Sequence, residues 1–380
     1  MGSGADRITE LAPSLASEAL REMEVLVAVS TPSGDRAGAE EAIALCASFL
    51  PTAAQIERVP CSTSTCAPDL LARISGFGRL RLLLLGHIDT VISHDSHAPL
   101  RPAGERLYGP GTADMKGGVA VALAVARALA ASPELFAELS VLLVTDEEWR
   151  TEKFRHVERF AGYDACLCFE AGERTAAGEE GVIVRRKGAG TLRVSATGRA
   201  SHSGSAPLEG RNALLALCAA ATAVAAHSDP HGAERLTVVP TVIRSGEAFN
   251  VVPAAGELVC DLRCEDVAAF ARVLAAVPEE VGGAKLEAGL ERVWPAMDSE
   301  AATADLLARA AQRLGRPIIA RARGGASDAS HFAASIPLTV DGLGPRGGGA
   351  HTPDEFVLAS SLRERLEVAL SLAVTALESG

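Results

Sequence analysis

The stretch at residues 82–89 constrains the fold more than any other part of this 380-residue chain, because it joins an apolar run to two ionisable side chains. Four consecutive leucines between Arg81 and Gly86 predict a β-strand that is buried on both faces, as in a sheet covered by helices. His87 and Asp89 follow two residues apart, so an extended chain places both side chains on the same side. The pair is typical of a metal ligand and the carboxylate that orients it, but a solvated turn is the simpler explanation of the pair alone.

Two further apolar runs, at residues 139–144 and 166–169, are predicted to be strands that end in acids. Asp146, Glu147 and Glu148 follow the first run, and they repel one another unless a cation compensates their charge; a solvated acidic turn is the alternative. Glu170 follows the second run. Because parallel strands present their carboxyl ends at the edge of an open sheet where ligands bind, the three strand ends together predict a functional site.

Glycine-rich loops supply two more candidates. Glycines on both sides of Asp114 allow a tight loop whose backbone approaches a ligand closely, although the same turn could simply begin a buried helix. Three glycines come shortly before His351. Two histidines and three carboxylates suit a pair of zinc or similar divalent ions with one bridging carboxylate, and these are His87, Asp114, Glu148, Glu170 and His351. A further acid that is not a ligand must then accept a proton from water.

The order of the predicted elements indicates an α/β chain with an insertion. Helices are predicted over residues 8–29, 37–49, 300–315 and 360–377. Between residues 187 and 292, a half-exposed strand, an Ala-rich helix, two strands and another helix indicate a compact α+β unit. We therefore expect a discontinuous metal-binding domain at residues 1–187 and 293–380, with a mostly parallel sheet flanked by helices, and an inserted smaller α+β domain at residues 188–292.

Charge and hydropathy exclude several classes of partner. The formal net charge of -12, without any basic run, argues against nucleic acid and against an anionic membrane surface. The longest apolar runs, such as residues 119–131, are too short to span a bilayer. Residues 1–20 contain acids and show no basic segment followed by an apolar one, which predicts that the protein has no secretory signal and is cytoplasmic.

The eight cysteines are accordingly expected to be reduced thiols. Cys260 and Cys264 could bind a metal, but no second Cys/His pair at zinc-finger spacing accompanies them, so packing is the preferred interpretation. His331 lies close to Asp328 and is a candidate for lining the site. The other histidines are expected at the surface, and these are His94, His97, His156, His227 and His231.

Taken in order, these motifs resemble those of the dinuclear-zinc metallopeptidase family that includes aminoacylase, succinyl-diaminopimelate desuccinylase and bacterial glutamate carboxypeptidase. The resemblance covers the chain nearly end to end and is nearest to the glutamate carboxypeptidase branch. It rests on HIDTV at 87–91, YGPGTADMKGG at 108–118, TDEE at 145–148, Glu170, GRASH at 198–202, GRNA at 210–213, NVVP at 250–253, GGASD at 324–328 and His351. In two departures, residues 149–154 replace a turn that is usually rich in Gly and Ser, and Ala171 stands where the family commonly has proline.

The resemblance implies a position for each candidate ligand. His87 and Glu170 would bind one zinc ion. Glu148 and His351 would bind the other, and Asp114 would bridge the two ions. The discontinuous domain would then be the catalytic domain.

Residues outside the ligand set also receive implied roles. Asp89 would orient the first histidine ligand, and Glu147 would be the general base. The inserted domain would be a dimerisation domain, from which His202 reaches the active site of the partner subunit and stabilises an oxyanion. Arg263 would hold the free carboxylate of the substrate, and Asn250 is a candidate for the same pocket.

The implied protein is a homodimeric, zinc-dependent metallopeptidase with two Zn2+ per subunit, for which Co2+ or Mn2+ can substitute. Its implied reaction is the hydrolysis of an amide bond, which releases a C-terminal amino acid from a peptide or an N-acyl amino acid. An N-acyl-amino-acid deacylase or desuccinylase with the same machinery is the alternative. A non-catalytic dimeric metal-binding protein is a remote alternative, which only the altered turn at residues 149–154 supports.

Overall fold

The computed structural model describes residues 11–378, which divide into two compact units. The first unit is discontinuous and contains the chain up to Arg185, Asp298–Ala322 and the chain from Ser327 onward. The second unit contains Arg186–Met297 and Arg323–Ala326. Within the described residues, no helix combines the length and the apolar character needed to cross a membrane.

The chain before the insertion supplies most of the first unit. The helix predicted from residue 8 is described from Ala12, and residues 8–10 lie outside the described part of the chain. The elements are α1 (Ala12–Ala28), α2 (Arg36–Phe49), β1 (Gln55–Val59), β2 (Asp69–Ser75), β3 (Arg81–His87), β4 (Arg101–Ala103), β5 (Arg106–Tyr108), α3 (Lys116–Ala130), β6 (Glu138–Val144), β7 (Ala165–Cys168), β8 (Glu173–Arg174) and β9 (Glu180–Arg186).

The remaining elements follow in two groups. Those of the second unit are β10 (Gly188–Thr197), α4 (Ala213–Ala225), β11 (Thr237–Ser245), β12 (Ala255–Cys264), α5 (Ala269–Ala275), β13 (Glu280–Val281) and β14 (Ala284–Trp294). After them come β15 (Met297–Asp298), α6 (Glu300–Leu314), β16 (Ile318–Arg323), α7 (Ala329–Phe332), β17 (Leu338–Val340), β18 (Gly347–Gly348), β19 (Phe356–Leu358) and α8 (Ala359–Leu377).

The main sheet of the first unit has the strand order β1-β2-β6-β3-β7-β17. Strands β6, β3, β7 and β17 are parallel to one another, whereas β1 and β2 add two antiparallel pairings at one edge. The three strands predicted from apolar runs, β3, β6 and β7, are therefore neighbours with their carboxyl ends at the same edge. The α/β fold with a mostly parallel sheet is confirmed.

The leucine run explains why β3 lies in the middle of this sheet. Leu82, Leu83, Leu84 and Leu85 are all fully buried, and successive side chains of a strand point to opposite faces. Burial of each leucine is worth about 1.5–3 kcal/mol, which favours a position covered on both sides. Helices α1, α3 and α8 join this core, and α3 is buried around almost its entire circumference.

Two smaller sheets complete the first unit. One has the order β15-β9-β16, with β8 paired to β9, and the other has the order β18-β19-β5-β4. The second of these brings the segment that precedes α8 beside the segment that precedes α3, because Phe356 pairs with Tyr108. The loops that carry Asp114 and His351 extend from these neighbouring segments.

The second unit is an antiparallel sheet with the order β11-β12-β10-β14-β13. Helices α4 and α5 cover it, and Leu217 and Phe270 pack with Leu192 and Leu258 of the sheet in one apolar core. Strand β14 is an additional element that the sequence did not predict, and it pairs with β10 from Ala189 to Thr197.

Two expectations about single residues have different outcomes. The expectation that His156 lies at the surface is wrong: its side chain is buried, and Nε2 lies 2.8 Å from Oδ2 of Asp69. Oδ1 of Asp69 accepts a hydrogen bond from the backbone N–H of Thr145 at 2.9 Å, so the buried pair supports the end of β6. Cys260 and Cys264 are free and buried, as expected of packing thiols.

Candidate metal centre

The register of three parallel strands brings most of the candidate ligands to one edge of the main sheet. His87 is the last residue of β3, and it pairs with Val144, the last residue of β6. Glu147 and Glu148 follow β6 within a single turn. Leu85 pairs with Cys168 at the end of β7, which places Glu170 just beyond the same edge.

Asp114 lies between the two histidines. Its Oδ1 is 3.1 Å from Nε2 of His87, and its Oδ2 is 3.2 Å from Nε2 of His351. Each carboxylate oxygen thus faces a different imidazole. The peptide bond between Asp114 and Met115 is cis.

A second carboxylate accompanies each imidazole. Oε1 of Glu170 lies 3.7 Å from Nε2 of His87, and Oε2 of Glu148 lies 3.2 Å from Nε2 of His351. Two ligands of one tetrahedral zinc ion, each about 2.0–2.1 Å from the metal, are about 3.3 Å apart. The four distances of 3.1, 3.2, 3.7 and 3.2 Å are therefore close to the separation of neighbouring ligands of a zinc ion.

The chemistry of the donor set also fits divalent cations. Donor atoms of His87, Asp114 and Glu148 all lie within 4.8 Å of one another. Oε1 of Glu148 is buried and has no hydrogen-bond partner, although an unpaired buried carboxylate oxygen is costly. A cation would satisfy this oxygen and offset the excess of carboxylates over imidazoles.

The two imidazoles and the carboxylate of Asp114 between them perturb one another's pKa values strongly. Burial alone would lower the pKa of His87, but hydrogen bonds with Asp114 and Asp89 raise it well above its usual range. Hydrogen bonds with Asp114 and Glu148 raise the pKa of His351 to about 10. Burial would raise the pKa of Asp114, but its contacts with both histidines hold it well below its usual value. The centre therefore favours an ionised bridge.

Asp89 organises the turn after β6. Nδ1 of His87 lies 3.0 Å from the carbonyl oxygen of Asp89 and 3.4 Å from its Oδ1. The same carboxylate accepts the backbone N–H groups of Glu147 at 3.0 Å and Glu148 at 3.1 Å, and the hydroxyl of Ser33 at 2.5 Å. Asp89 thus contacts the imidazole through its carbonyl oxygen and its carboxylate, and its carboxylate fixes the backbone of both glutamates.

Glu147 is buried beside the ligands, with 7% of its surface exposed. Burial raises its pKa well above the usual range of a carboxyl; the positive charge of His87 lowers it, and the negative charges of Asp328 and Glu170 raise it. A carboxyl group whose pKa is raised accepts a proton readily.

Glu355 is a contributor that the sequence did not reveal. Its Oε1 accepts the backbone N–H groups of Ala113 at 2.7 Å and Asp114 at 2.8 Å, and its Oε2 accepts that of Gly111 at 2.8 Å. Glu355 therefore holds the loop that carries Asp114. Its only signal in the sequence is an acid four residues after His351, which is too common to interpret.

Arg150 is the second residue that the sequence did not reveal. Its side chain is fully buried, and its guanidinium pairs with Asp146 at 2.8 Å and with both carboxylate oxygens of Asp328. The guanidinium carbon also lies 4.6 Å from the centre of the Phe154 ring. The Phe154 ring stacks on His331, with ring centres 4.7 Å apart, so His331 belongs to this support.

Three predicted site residues belong to the second unit. His202 is exposed, and its Nδ1 accepts the backbone N–H groups of Gly204 at 3.1 Å and Ser205 at 3.2 Å. Acceptance at Nδ1 leaves the proton of a neutral ring on Nε2, which can donate to a ligand. The carbonyl oxygen of Asn250 accepts the N–H of Ser203 at 3.0 Å, so Asn250 and His202 lie together.

Arg263 lies at the other end of the same sheet. It is near the end of β12 and pairs in register with Ala189, whereas Ala255 at the start of β12 pairs with Thr197. The guanidinium is half-buried and lies 2.9 Å from Oδ1 of Asp261. The second unit therefore brings His202 and Asn250 together and keeps Arg263 apart from them.

Comparisons with known proteins agree with this geometry. The model of the family described as "Peptidase family M20/M25/M40" matches residues 83–375. Carboxypeptidase G2 from Pseudomonas sp. (strain RS-16) is 30% identical over 373 residues, which are 93% of this chain and 88% of that protein. Succinyl-diaminopimelate desuccinylase from Rhodospirillum centenum is 31% identical over 318 residues, which are 78% of this chain and 81% of that protein.

The fold is also similar to that of a solved structure. The crystal structure of aminopeptidase PepT from Bacillus cereus is similar with a TM-score of 0.76 and 17% sequence identity, over 95% of this chain and 98% of that chain. The family resemblance seen in the motifs is thus confirmed over most of the chain. The protein is a metallopeptidase of the hydrolase class, and it belongs to the peptidase family M20/M25/M40.

Proposed function

We propose that this protein hydrolyses the amide bond that joins a C-terminal amino acid to a peptide or to an acyl group, at a centre of two divalent cations. The observation that carries the proposal is the position of Asp114, whose two oxygens face His87 and His351 separately. Glu170 and Glu148 complete the two ligand sets. Zinc suits this set of imidazole and carboxylate ligands, and Co2+ or Mn2+ would substitute.

Bound cations of this kind polarise a carbonyl group and lower the pKa of water. In the proposed reaction, Glu147 accepts the proton of the attacking water while the water oxygen forms a bond with the amide carbon. Glu147 then delivers that proton to the nitrogen as the C–N bond breaks. The hydrogen bond that its backbone N–H donates to Asp89 holds the backbone of Glu147 beside the centre during both transfers.

The proposal assigns the substrate carboxylate to Arg263 and the oxyanion to His202, with Asn250 in the same pocket. With these roles, the distance along β12 between Arg263 and His202 is too long for one subunit to supply both groups to one substrate. Arg263 is eight residues beyond Ala255, which is about 26 Å at 3.3 Å per residue. His202 lies beyond the Ala255 end of β12, since it pairs with Val251. A substrate of three residues is about 10 Å long, so it can contact both groups only if they come from different protomers.

The surface of the second unit supports a homodimer. Strand β11 is at the edge of its sheet, and Val239 and Ile243 on this strand are 48% and 44% exposed. Leu215 on the covering helix α4 is 62% exposed. Exposed apolar side chains on an edge strand of nine residues favour pairing with another chain, and a second copy is the partner that would also supply His202.

An N-acyl-amino-acid deacylase or desuccinylase is the second candidate, because relatives include succinyl-diaminopimelate desuccinylases. Both activities would use the same catalytic residues and differ in the acyl group. Dipeptides, N-acetyl amino acids and N-succinyl amino acids with the same released amino acid separate the two candidates by the ratio of kcat/KM.

The substitution Glu147→Gln tests the proposed reaction. It removes the proton acceptor but keeps the size of the side chain, so turnover is expected to fall by at least about 100-fold. The zinc content, measured by inductively coupled plasma mass spectrometry, should remain at two ions per chain. Retained activity would contradict the assignment of Glu147, and a wild-type protein that binds zinc but cleaves no compound would support a non-catalytic metal-binding protein.

Mixed dimers test the contribution of two subunits. A mixture of His202→Ala and Arg263→Ala chains forms heterodimers in which one site has an intact Arg263 and receives an intact His202 from its partner. Such a mixture should regain activity that neither variant shows alone. No recovery, in heterodimers verified by mass, would mean that the two residues act within one protomer.

A further inference from the structure

A cavity of about 600 Å3 lies in the first unit, and none of the candidate metal ligands lines it. Three segments border this cavity: the hairpin of β8 and β9, the residues that follow α6, and the first turns of α8. Each segment supplies one guanidinium group to the lining, from Arg174, Arg316 and Arg363 respectively. The volume is within the range of pockets that hold small molecules.

Shared carboxylates hold these three guanidinium groups side by side. Nη2 of Arg174 and Nη2 of Arg316 lie 3.9 and 3.7 Å from the same atom, Oε1 of Glu180. Arg316 shares a second acid with Arg363, since its Nη1 is 2.7 Å from Oε2 of Glu367 and Nε of Arg363 is 2.9 Å from Oε1. The three arginines therefore form one row along the cavity, with Arg316 in the middle.

Two further arginines are buried behind this row. Nη1 of Arg346 and Nη1 of Arg365 lie 2.9 and 3.0 Å from Oε2 of Glu180, whose side chain is 3% exposed. Four guanidinium groups therefore surround one buried carboxylate. Burial lowers the pKa of Arg346, the charge of Glu180 raises it, and the charges of Arg174 and Arg316 lower it, with a net lowering. The neighbouring arginines thus repel one another, and a further anion would reduce this repulsion.

The arginines of the lining are more exposed than the acids that pair with them. Their side chains are 35–61% exposed, whereas those of Glu180, Glu364 and Glu367 are 3–32% exposed. In the described part of the chain, Arg174 contacts acids only through Nη2, and Arg363 only through Nε. Because a guanidinium group has five N–H donors, both arginines keep donors for a ligand.

The charge of this cluster contrasts with the formal net charge of -12 of the whole chain. Among the described residues that line the cavity or contact Glu180, five arginines exceed four acids, and the fourth acid is Glu179, which accepts the hydroxyl of Thr175 at 3.1 Å. An exposed ion pair such as that of Arg363 with Glu367 contributes little to stability. The stability of the fold therefore does not account for the cluster.

We propose that this cavity binds a small doubly charged oxyanion, which carries either a phosphate group or two carboxylates, and that Arg174, Arg316 and Arg363 are its ligands. Guanidinium groups pair with phosphate and carboxylate oxygens through two parallel hydrogen bonds. A dianion in the cavity would accept the N–H groups that Arg174 and Arg363 keep and would offset the charge of the buried arginines. The site uses no residue of the metal centre, so the inference does not depend on the proposed hydrolysis.

Calorimetric titration of the zinc-loaded protein with inorganic phosphate, succinate and acetate tests the charge and the source of the ligand. At pH 8 the first two are dianions and acetate is a monoanion, and a constant ionic strength removes the effect of screening. Acetate should bind at least about tenfold more weakly than the better dianion. Tighter binding of phosphate identifies a phosphate ester as the ligand class, and tighter binding of succinate identifies a dicarboxylate. Equal affinity for acetate would overturn the inference.

Substitutions in the lining locate the bound anion. Arg363→Ala and Arg174→Ala should each weaken the binding of the better dianion about tenfold, and Arg363→Lys should retain part of the affinity. Arg309→Ala is the matched control, because Nε of Arg309 lies 2.8 Å from Asp305, four residues away on its helix, and Arg309 does not line the cavity. This control should leave the affinity unchanged.

Two results would overturn the inference. If neither dianion binds at about 10 mM, the arginines form only a structural network of ion pairs. If a dianion binds equally to the wild type and to both alanine variants, it binds elsewhere, for example at the zinc ions. Selenate soaked into crystals of the wild type gives a readout that needs no substitution. Its anomalous peak should lie within hydrogen-bond distance of Arg363, and selenate peaks that lie only at the zinc ions would contradict the site.

Discussion

Replacement of Arg150 by alanine would leave two buried carboxylates without their shared cation. Arg150 is fully buried, and the side chains of Asp146 and Asp328 are 2% and 4% exposed. The guanidinium donates to both acids, and Oδ2 of Asp146 also accepts the N–H of Thr63 at 2.8 Å. The ion pairs therefore connect three loops around the turn that carries Glu147.

The size of the effect follows from this burial. Removal of one partner from a buried ion pair typically costs about 3–5 kcal/mol, because the remaining charge is neither solvated nor paired. Burial raises the pKa of Asp146 and the charge of Arg150 lowers it, with a net lowering in the folded protein. A depressed carboxyl pKa contributes stability above its unfolded value of about 3.9, and this contribution is lost as the pH falls. In Arg150→Ala the pKa of Asp146 should instead be raised, because burial then acts without the charge of Arg150. The difference in the free energy of unfolding between the variant and the wild type should therefore be larger at pH 7 than at pH 5.

Urea unfolding followed by circular dichroism measures this difference. Arg155→Ala is the control in the same loop, since Arg155 is 52% exposed in its pair with Glu152 and should contribute no more than about 1 kcal/mol. Arg150→Lys keeps the charge but loses the bidentate contact with Asp328. Its free energy of unfolding should therefore lie between those of the wild type and Arg150→Ala. If Arg150→Ala lowers the free energy of unfolding by less than about 1 kcal/mol, the buried ion pairs do not stabilise the fold as described.

Two further predictions concern the metal centre. Glu355→Gln replaces one carboxylate oxygen that accepts N–H groups of the Asp114 loop by an NH2 group. The zinc affinity, measured by competition with a chelator, should therefore fall about 10- to 100-fold. An unchanged affinity would contradict the role of Glu355. Without a bound cation, the pKa of His351 is raised to about 10, so the ring is protonated at pH 7.5 and must lose its proton to bind zinc through Nε2. Calorimetry in buffers with different ionisation enthalpies should therefore show proton release on zinc binding, and no release would contradict the assignment of His351.

The sequence predicted the central strands well because their signal is local. A continuous apolar run such as that before His87 has few folded environments other than a buried parallel strand. The acid after each run then lies at the edge of the sheet, whatever the rest of the chain does. For this reason His87, Glu148 and Glu170 were expected together, and the structure brings them together.

Elements that depend on distant partners were not predicted. Strand β14 contains Lys285, Glu287 and Gly289, which are residue types with a low preference for strands, so its local signal is weak and pairing with β10 determines its structure. Arg150 would ordinarily be assigned to the surface, and its partner Asp328 is 178 residues away. Glu355 contacts the N–H of Asp114 across 241 residues. His156 was misassigned for the same reason, since Asp69 is 87 residues away.

Anomalous scattering from a crystal of the zinc-loaded protein would locate the cations themselves. Two zinc peaks per chain are expected, about 3.5–4 Å apart, one beside His87 and Glu170 and the other beside His351 and Glu148. Each peak should lie against a different oxygen of Asp114. A single peak, or two peaks that do not share Asp114, would contradict the two-cation centre on which the proposed hydrolysis depends.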